Sequence, residues 1–445
     1  MVAGGPGAAL TLAGLARIPL VTPDVFGALF TRRPLTGVSP MIRQARTIAI
    51  LLLVPAALVS CGSPASTPSA KPTARPTPTP LPVTTTPTAV PLPPGPYAVV
   101  VSNQARVGSS YDVMLIDTAG QVVARVTAKL PLLKPNQDID LPLVSASNDM
   151  VYYLDGDTEI HSLSPTGTVA LAKTIAQGAG SILAFSVSPD DQRIAVSLLN
   201  ESSDSSKDTS HGWVEDLAAP TNHLDLFDNT GTSSFRWPVG WAGSQIVDGA
   251  GYQCGGYGYG YNGQSTTTPP CSYHIINSTT TSRTATLCET PSPPPSSEND
   301  NLTVNGLPVT AGVACIESEY YYNLPTAIQN QNTLFAVDWS GHQTTYLTSN
   351  TGQLGYGNCY LAPSGAQMAC SANASQALTL LAPKTAPHNL GRRYNVLGWM
   401  DNTHIAVDID STTLGVLSTD TGGVVSLTMT GADHMALAGT LPGAL

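Results

Sequence analysis

From residue 97 onward, short apolar runs that end in a small polar turn recur along the chain. Five of these runs lead into an Asp/Ser/Thr-x-x-Gly turn: Val113 to Ile116 before Asp117 to Gly120, Ile160 to Leu163 before Ser164 to Gly167, Leu224 to Phe227 before Asp228 to Gly231, Leu334 to Val337 before Asp338 to Gly341, and Leu414 to Leu417 before Thr419 to Gly422. The acid or hydroxyl closes the turn through its side chain, and the glycine supplies the positive φ that a tight hairpin needs. No long stretch shows the 3.6-residue apolar period of a helix, so the runs read as strands joined by hairpins.

The turn glycines are spaced by 47, 64, 110 and 81 residues. The last two spacings make sense as doubled periods, each hiding one weaker copy. A second turn series interleaves with the first: Ser147 to Asp149, Ser188 to Asp191, Trp241 to Gly243, Pro363 to Gly365 and Met400 to Asn402, each followed by an apolar strand. Two alternating hairpin families at a period of about 40–60 residues describe four-stranded blades, and hence an all-β propeller. Strand counting predicts seven blades, at 97–128, 141–176, 182–238, 239–288, 305–350, 357–388 and 394–430, although six or eight also fit the spacing. The first blade lacks its innermost strand and the chain ends with a spare one, His434 to Ala438. That strand is expected to close the ring beside Tyr97 to Ser102.

The run Phe185 to Val196, with Ser188-Pro-Asp-Asp191, then Arg193, then Ile194-Ala-Val196, resembles the repeat of TolB-type propellers. Asp191 stands where that repeat usually has glycine. The resemblance implies the fold and an extracytoplasmic setting, and it transfers no catalytic residue.

Ahead of the strands, Arg43 and Arg46 precede an apolar run from Ile48 to Val59, the order of a secretory leader. The run is shorter than the roughly 20 apolar residues needed to span a bilayer. It ends in Leu58-Val-Ser-Cys61, which resembles the lipobox of bacterial lipoproteins. That resemblance implies a signal peptide over 41–60, cleavage before Cys61, and lipid (palmitate among the acyl chains) on that residue. Residues 1–40 fit no part of this scheme and read as an extension ahead of the true start at Met41. The following 61–96 segment, with 12 prolines and 8 threonines between Gly62 and Pro96, predicts a disordered, extended linker below a propeller domain at 97–445.

Charge narrows the function. The first 60 residues hold five of the chain's 19 basic residues and one of its 30 acidic ones, leaving 14 against 29 and a net charge of −15 in the mature chain. Such a body repels nucleic acid and anionic headgroups, so no nucleic-acid partner is expected.

With Cys61 set aside the cysteines are even in number: Cys254, Cys271, Cys288, Cys315, Cys359 and Cys370. Six cysteines allow fifteen pairings. Blade geometry narrows these, since Cys359 and Cys370 fall on neighbouring strands of one hairpin and Cys254 and Cys271 bracket one loop. Cys288 and Cys315 are then left as partners across consecutive blades. Zinc is the competing use, but the chain has no Cys-x-x-Cys and no paired histidines at ligand spacing.

Insertions show where the propeller would interact. They lie at Glu201 to Thr221, Cys254 to Cys271, Glu289 to Asn305 and Glu317 to Asn332, all on one face by strand assignment. Trp213, Tyr257, Tyr259, Tyr261, Tyr320, Tyr321 and Tyr322 fall within them as candidate binding-loop residues, because rigid amphipathic rings suit protein or sugar surfaces. The competing reading is that the tyrosines pack on one another to order the loops.

Eight scattered histidines form no nucleophile elbow and no metalloprotease run. Asp155, Asp157 and Glu159 alternate as if to hold calcium but lack the glycine and bidentate glutamate of a known loop. The expectation is therefore a lipid-anchored, extracytoplasmic binding or scaffold module for a protein or glycan, with no cofactor, metal or assigned catalytic residue. The alternative is a propeller hydrolase or lyase acting on cell-surface glycans or peptides.

Overall fold

The structure, a computed structural model, describes residues 95–102, 109–134, 139, 141–178, 180–231, 235–251, 270–289, 301–320, 330–349, 356–372, 377–429 and 435–443. The leader, Cys61 and the linker up to residue 94 lie outside them.

These residues form seven four-stranded antiparallel blades in a ring. The first blade contains β1 (Tyr97–Val101), β2 (Ser110–Asp117) and β3 (Val122–Lys129), and the second β4 (Val144–Ala146), β5 (Val151–Asp155), β6 (Glu159–Leu163) and β7 (Val169–Thr174). The third has β8 (Ile182–Val187), β9 (Arg193–Asn200), β10 (Thr209–Asp216) and β11 (Leu224–Thr230). The fourth has β12 (Arg236–Ala242), β13 (Gln245–Ala250), β14 (Ser272–Asn277) and β15 (Arg283–Leu287), and the fifth β16 (Asn301–Val309), β17 (Gly312–Tyr320), β18 (Asn330–Val337) and β19 (Gln343–Ser349). The sixth runs over β20 (Tyr356–Leu361), β21 (Met368–Ala372), β22 (Thr379–Leu381) and β23 (His388–Asn389). The seventh runs over β24 (Asn395–Trp399), β25 (His404–Asp410), β26 (Thr413–Ser418) and β27 (Val424–Thr428), and β28 (Ala436–Leu441) ends the series.

Strand composition follows position in the blade. Inner strands are covered on both faces by neighbouring blades and are mostly apolar and almost wholly buried, as in β1, β5 and β8, with Asp155 at the end of β5 and Ser186 within β8 the polar members. Outer strands such as β7 and β27 are largely exposed, including the apolar side chains of Val169, Leu171 and Val425. One buried cluster runs through the first three blades, joining Val99, Val113, Tyr153, Ile160, Phe185 and Val196, and six smaller clusters fill the remaining seams. Each fully buried Val, Leu or Ile contributes about 1.5–3 kcal/mol.

The ring closes as the sequence predicts. β28 pairs antiparallel with β1, with Tyr97 opposite Leu441 and Val101 opposite Ala436, so one blade takes strands from both ends of the domain. The closing strand lies slightly later than His434 to Ala438. The fourth blade begins at Arg236 rather than 239. Pro238 sits within its first strand beside a bulge between Pro238 and Gly240, a place where a strand tolerates proline.

Two turns show why their residues are needed. Asp191, in place of glycine, takes a φ of 58°. Its carboxylate accepts the Tyr152 hydroxyl of the preceding blade at 2.9 Å, a tie that a glycine could not make. At Gly312 (φ 132°), an added Cβ would lie against the Val337 carbonyl, so only glycine fits that hairpin.

The cysteine reasoning holds for two pairs. Cys359 and Cys370 are bonded cross-strand neighbours in the sixth blade, and Cys288 is bonded to Cys315 across the fourth and fifth blades. Cys271 is also disulfide-bonded, and Cys254 lies outside the described residues. Such bonds suit an oxidising, extracytoplasmic compartment. Among the described residues no helix is long and apolar enough to cross a membrane.

Candidate functional site

The innermost strand of each blade runs toward the centre, and the seven strand ends frame one cavity of about 280 Å³. It opens on the face that carries the turns between first and second strands. Its wall takes Val144 to Ala146 from β4, Val187 from β8, Val239 to Trp241 from β12, Val309 from β16, Tyr360 and Leu361 from β20, Gly398 and Trp399 from β24, and Leu437 to Thr440 from β28. Small residues, namely Ala146, Gly240, Gly398, Ala438 and Gly439, keep the centre open. Four prolines, Pro96, Pro308, Pro363 and Pro442, also line it.

Two tryptophans hold equivalent places in this wall. The Trp241 indole donates to the Ser186 carbonyl at 3.2 Å, and the Trp399 indole donates to the Tyr360 carbonyl at 2.8 Å. In each case the acceptor sits on the first strand of the preceding blade, so the ring nitrogen is consumed in the seam and the carbon framework lines the cavity. Ser145 adds a third tie between blades by accepting the Val187 backbone N–H at 3.0 Å.

Asp401 is the charged side chain of the lining, and its carboxylate is occupied. Oδ1 accepts the backbone N–H groups of Thr403 (2.6 Å) and His404 (2.7 Å) and the Thr403 hydroxyl (2.9 Å), while Oδ2 lies 2.8 Å from His404 Nδ1. Burial pushes this carboxyl up, but those hydrogen bonds outweigh it and hold it below the usual range. The cavity thus offers apolar and aromatic surface, backbone groups and the hydroxyls of Ser145, Thr310 and Thr440, and it is suited to a neutral, largely apolar occupant.

The insertions leave from the opposite face. The connections β9–β10, β13–β14 and β17–β18 join second to third strands, and β15–β16 joins two blades, as the sequence predicts. Tyr257, Tyr259, Tyr261, Tyr321 and Tyr322 lie outside the described residues, and Tyr320 is the last residue of β17. Trp213 is placed differently from expectation. It stands in the middle of β10, 8% exposed, with its ring stacked between His211 (5.3 Å) and His223 (5.9 Å). It therefore fills a seam rather than tipping a loop, and the insertion there shrinks to the stretch between β9 and β10.

The remaining titratable groups form two further clusters. Asp155, Glu159 and His161 bring ligand atoms within 4.8 Å of one another, but Asp155 Oδ1 already accepts the Lys129 N–H and Glu159 lies 3.2 Å from His161. Asp157 is not among them, since it pairs with Lys134 at 2.8 Å. In the seam between the third and fourth blades, Arg236 Nε donates to the fully buried Asp248 at 2.7 Å, and His274 lies directly across from Asp248 on β14. Burial raises Asp248 to about 6 against the pull of Arg236. Burial, with Arg236 and Arg283 nearby, lowers His274 to about 4. Asp248 Oδ1, His274 Nδ1 and the Ser197 hydroxyl are buried without a hydrogen-bond partner.

Sequence reasoning did not find the central cavity. The signal that marks it is the repeated dipeptide Gly240-Trp241 and Gly398-Trp399 at the end of a first strand.

No protein family profile and no curated protein matches the chain. Among solved structures it is similar to an oligogalacturonate lyase from Vibrio parahaemolyticus, with a TM-score of 0.42 and 10% identity over 71% of this chain and 82% of that one. It is also similar to the β-propeller domain of the Trilobed protease from Pyrococcus furiosus, with a TM-score of 0.38 and 8% identity over 75% and 83%. The acylaminoacyl peptidase of Pyrococcus horikoshii gives a TM-score of 0.43 and 8% identity, covering 75% of this chain and 50% of that one. These likenesses concern the fold alone.

Proposed function

We propose that the mature chain is a lipoprotein, anchored through Cys61, whose propeller is a non-catalytic binding module on the extracytoplasmic side of a membrane. The observation that carries this reading is the makeup of the central cavity, where seven inner strands converge on apolar and aromatic wall and the charged side chain is already saturated by its own turn. Such a site holds a ligand without supplying a base or nucleophile to it. The ligand is a neutral, largely apolar segment of an envelope or cell-surface partner.

The anchor and the site are tested separately. Labelling cells with a palmitate analogue should mark the wild type and leave Cys61→Ser unlabelled; equal labelling would remove the lipoprotein reading. Crosslinking on intact cells should capture a partner with the wild type and lose it with Thr440→Trp, which fills the cavity. Capture unchanged by that substitution would rule the cavity out as the binding site.

A further inference from the structure

One backbone device recurs around the cavity. On β12, Val239 stands outside the ladder between Pro238 and Gly240; on β24, Leu397 does so between Val396 and Gly398; on β28, Ala438 does so between Leu437 and Gly439. In each case the bulged residue is followed by glycine and then by a residue opposite the second position of the next strand of the blade: Trp241 opposite Ile246, Trp399 opposite Ile405 and Thr440 opposite Ala98. A bulge re-aims the side chains beside it. At two of these places the side chain is an indole, 3% exposed, that donates across the seam to the preceding blade. At the third it is Thr440, half-buried, whose hydroxyl turns to the Pro442 carbonyl of its own chain at 3.4 Å.

The acceptors correspond as well. Ser186, Tyr360 and Gly398 each lie two residues before the residue whose N–H closes the turn to the second strand, namely Ser188 to Arg193, Ala362 to Gln367 and Met400 to His404. The Gly398 carbonyl is therefore the counterpart of the two that accept an indole, and it belongs to the blade that precedes Thr440 around the ring. Gly398 and Thr440 both line the cavity, with Met400, Leu437 and Ala438 beside them.

We infer that this third place is filled from outside: a tryptophan side chain exposed on a protein partner inserts beside Thr440, packs on Leu437 and Met400, and donates its indole N–H to the Gly398 carbonyl. Charge agrees with a neutral ring, because the Asp401 carboxylate is already taken up by its own turn and offers no counter-charge to a cationic side chain. Size agrees too, since a cavity of about 280 Å³ admits a side chain rather than a folded element. Tryptophan suits such an anchor because it joins a large apolar area to one donor. A sugar fits less well, since it needs a partner for each hydroxyl, whereas Ser145 Oγ already accepts the Val187 N–H and Asn402 Oδ1 that of Ser364.

This inference rests on the cavity being the partner site, and its test is separable from the test of that reading. The probe is N-acetyl-L-tryptophanamide, titrated into the full-length protein while isotope-labelled methionine and leucine methyl groups are observed by NMR. The signals of Met400 and Leu437 should shift, with a dissociation constant on the order of a millimolar for a ligand of this size. The analogue methylated on the indole nitrogen should bind about five-fold more weakly, the effect of one lost hydrogen bond. Thr440→Trp, which fills the place from within, should abolish the shifts, whereas Thr440→Val should keep the affinity within about two-fold. Unmoved methyl signals, equal affinity for the methylated analogue, or shifts that persist in Thr440→Trp would overturn the inference. So would a response of the same signals to methyl glucoside and not to the indole, which would assign the place to a glycan. If Thr440→Trp abolishes partner capture but the probe leaves Met400 and Leu437 unmoved, the cavity remains the partner site and its anchor is not tryptophan. If the probe binds as expected while Thr440→Trp leaves capture intact, the indole site stands and the proposed partner site falls.

Discussion

The indole nitrogen of Trp399 donates to the backbone carbonyl of Tyr360, 39 residues earlier and one blade away, at 2.8 Å. Trp241 repeats the relationship with Ser186 between the third and fourth blades. The ring thus closes its seams partly through one tryptophan–carbonyl bond used twice, at the level of the cavity. Trp399→Phe keeps most of the packing and removes the donor, so it should cost about 1 kcal/mol. Trp399→Ala should cost about 3–5 kcal/mol because a cavity is added to the lost bond. Urea unfolding of both variants checks the order; equal losses would mean that packing alone sets the contribution.

The buried pair Asp248 and His274 predicts an unusual acid response. Below pH 6.5 the unfolded chain protonates His274, whereas the folded chain resists until about pH 4, so this group loses stability as the pH falls through that window. Asp248 acts in the opposite sense: its folded carboxyl takes up a proton near pH 6 and the unfolded one only near 3.8, so acidification relieves its burial penalty. The two effects offset. His274→Gln leaves only the second, and the variant should gain about 1–2 kcal/mol on the wild type between pH 6.5 and pH 4, allowing for screening at the ring's exposed edge. Denaturant midpoints that stay parallel across that range would contradict the assignment.

The two described disulfide pairs differ in what they join. Cys288–Cys315 links two blades across a separation of 27 residues, whereas Cys359–Cys370 lies within one hairpin across 11. Loop-closure entropy assigns about 3.5 kcal/mol to the first and about 2.8 kcal/mol to the second. Replacing Cys288 and Cys315 by serine should therefore lower the unfolding midpoint more than replacing Cys359 and Cys370. Calorimetry under oxidising conditions gives the ranking, and a reversed order would show that native strain outweighs chain entropy.

Much of the fold was legible because hairpin chemistry is local. Asp117 to Gly120 and Ser188 to Asp191 announce their turns within four residues, and the spare strand at the end of the chain announces its partner by elimination. Disulfide pairing followed once strands were assigned, since Cys359 and Cys370 could only be neighbours. The cavity was not legible, because Ser145, Trp241, Trp399 and Thr440 come from four blades and nothing local marks a strand end as central. Trp213 was misplaced for a related reason. His211 and Glu215 give β10 a polar look, and only the neighbouring blade, where Lys173 pairs with Glu215 at 2.9 Å, explains why a charged residue sits in a buried strand.

The closing strand should decide whether the propeller folds as one unit. β28 brings Leu437 and Leu441 into the core, 6% and 2% exposed, and covers the free edge of β1. Leu437 also packs where a side chain on Gly398 would otherwise sit, so it binds the seventh blade to the first. Removing residues 435–445 takes away two buried leucines, each worth about 2–5 kcal/mol, and leaves an unpaired inner strand beside an open seam. That loss is comparable to the whole stability of an ordinary domain. The truncated chain should therefore lose its protease-resistant core throughout, not only in the first blade. Adding a synthetic peptide of residues 435–445 should restore protection in a concentration-dependent way, because the missing strand supplies both the edge and the two side chains. If limited proteolysis of the truncated chain instead trims the first blade and spares the other six, the blades are stable by their neighbour contacts and closure is not what makes the ring cooperative.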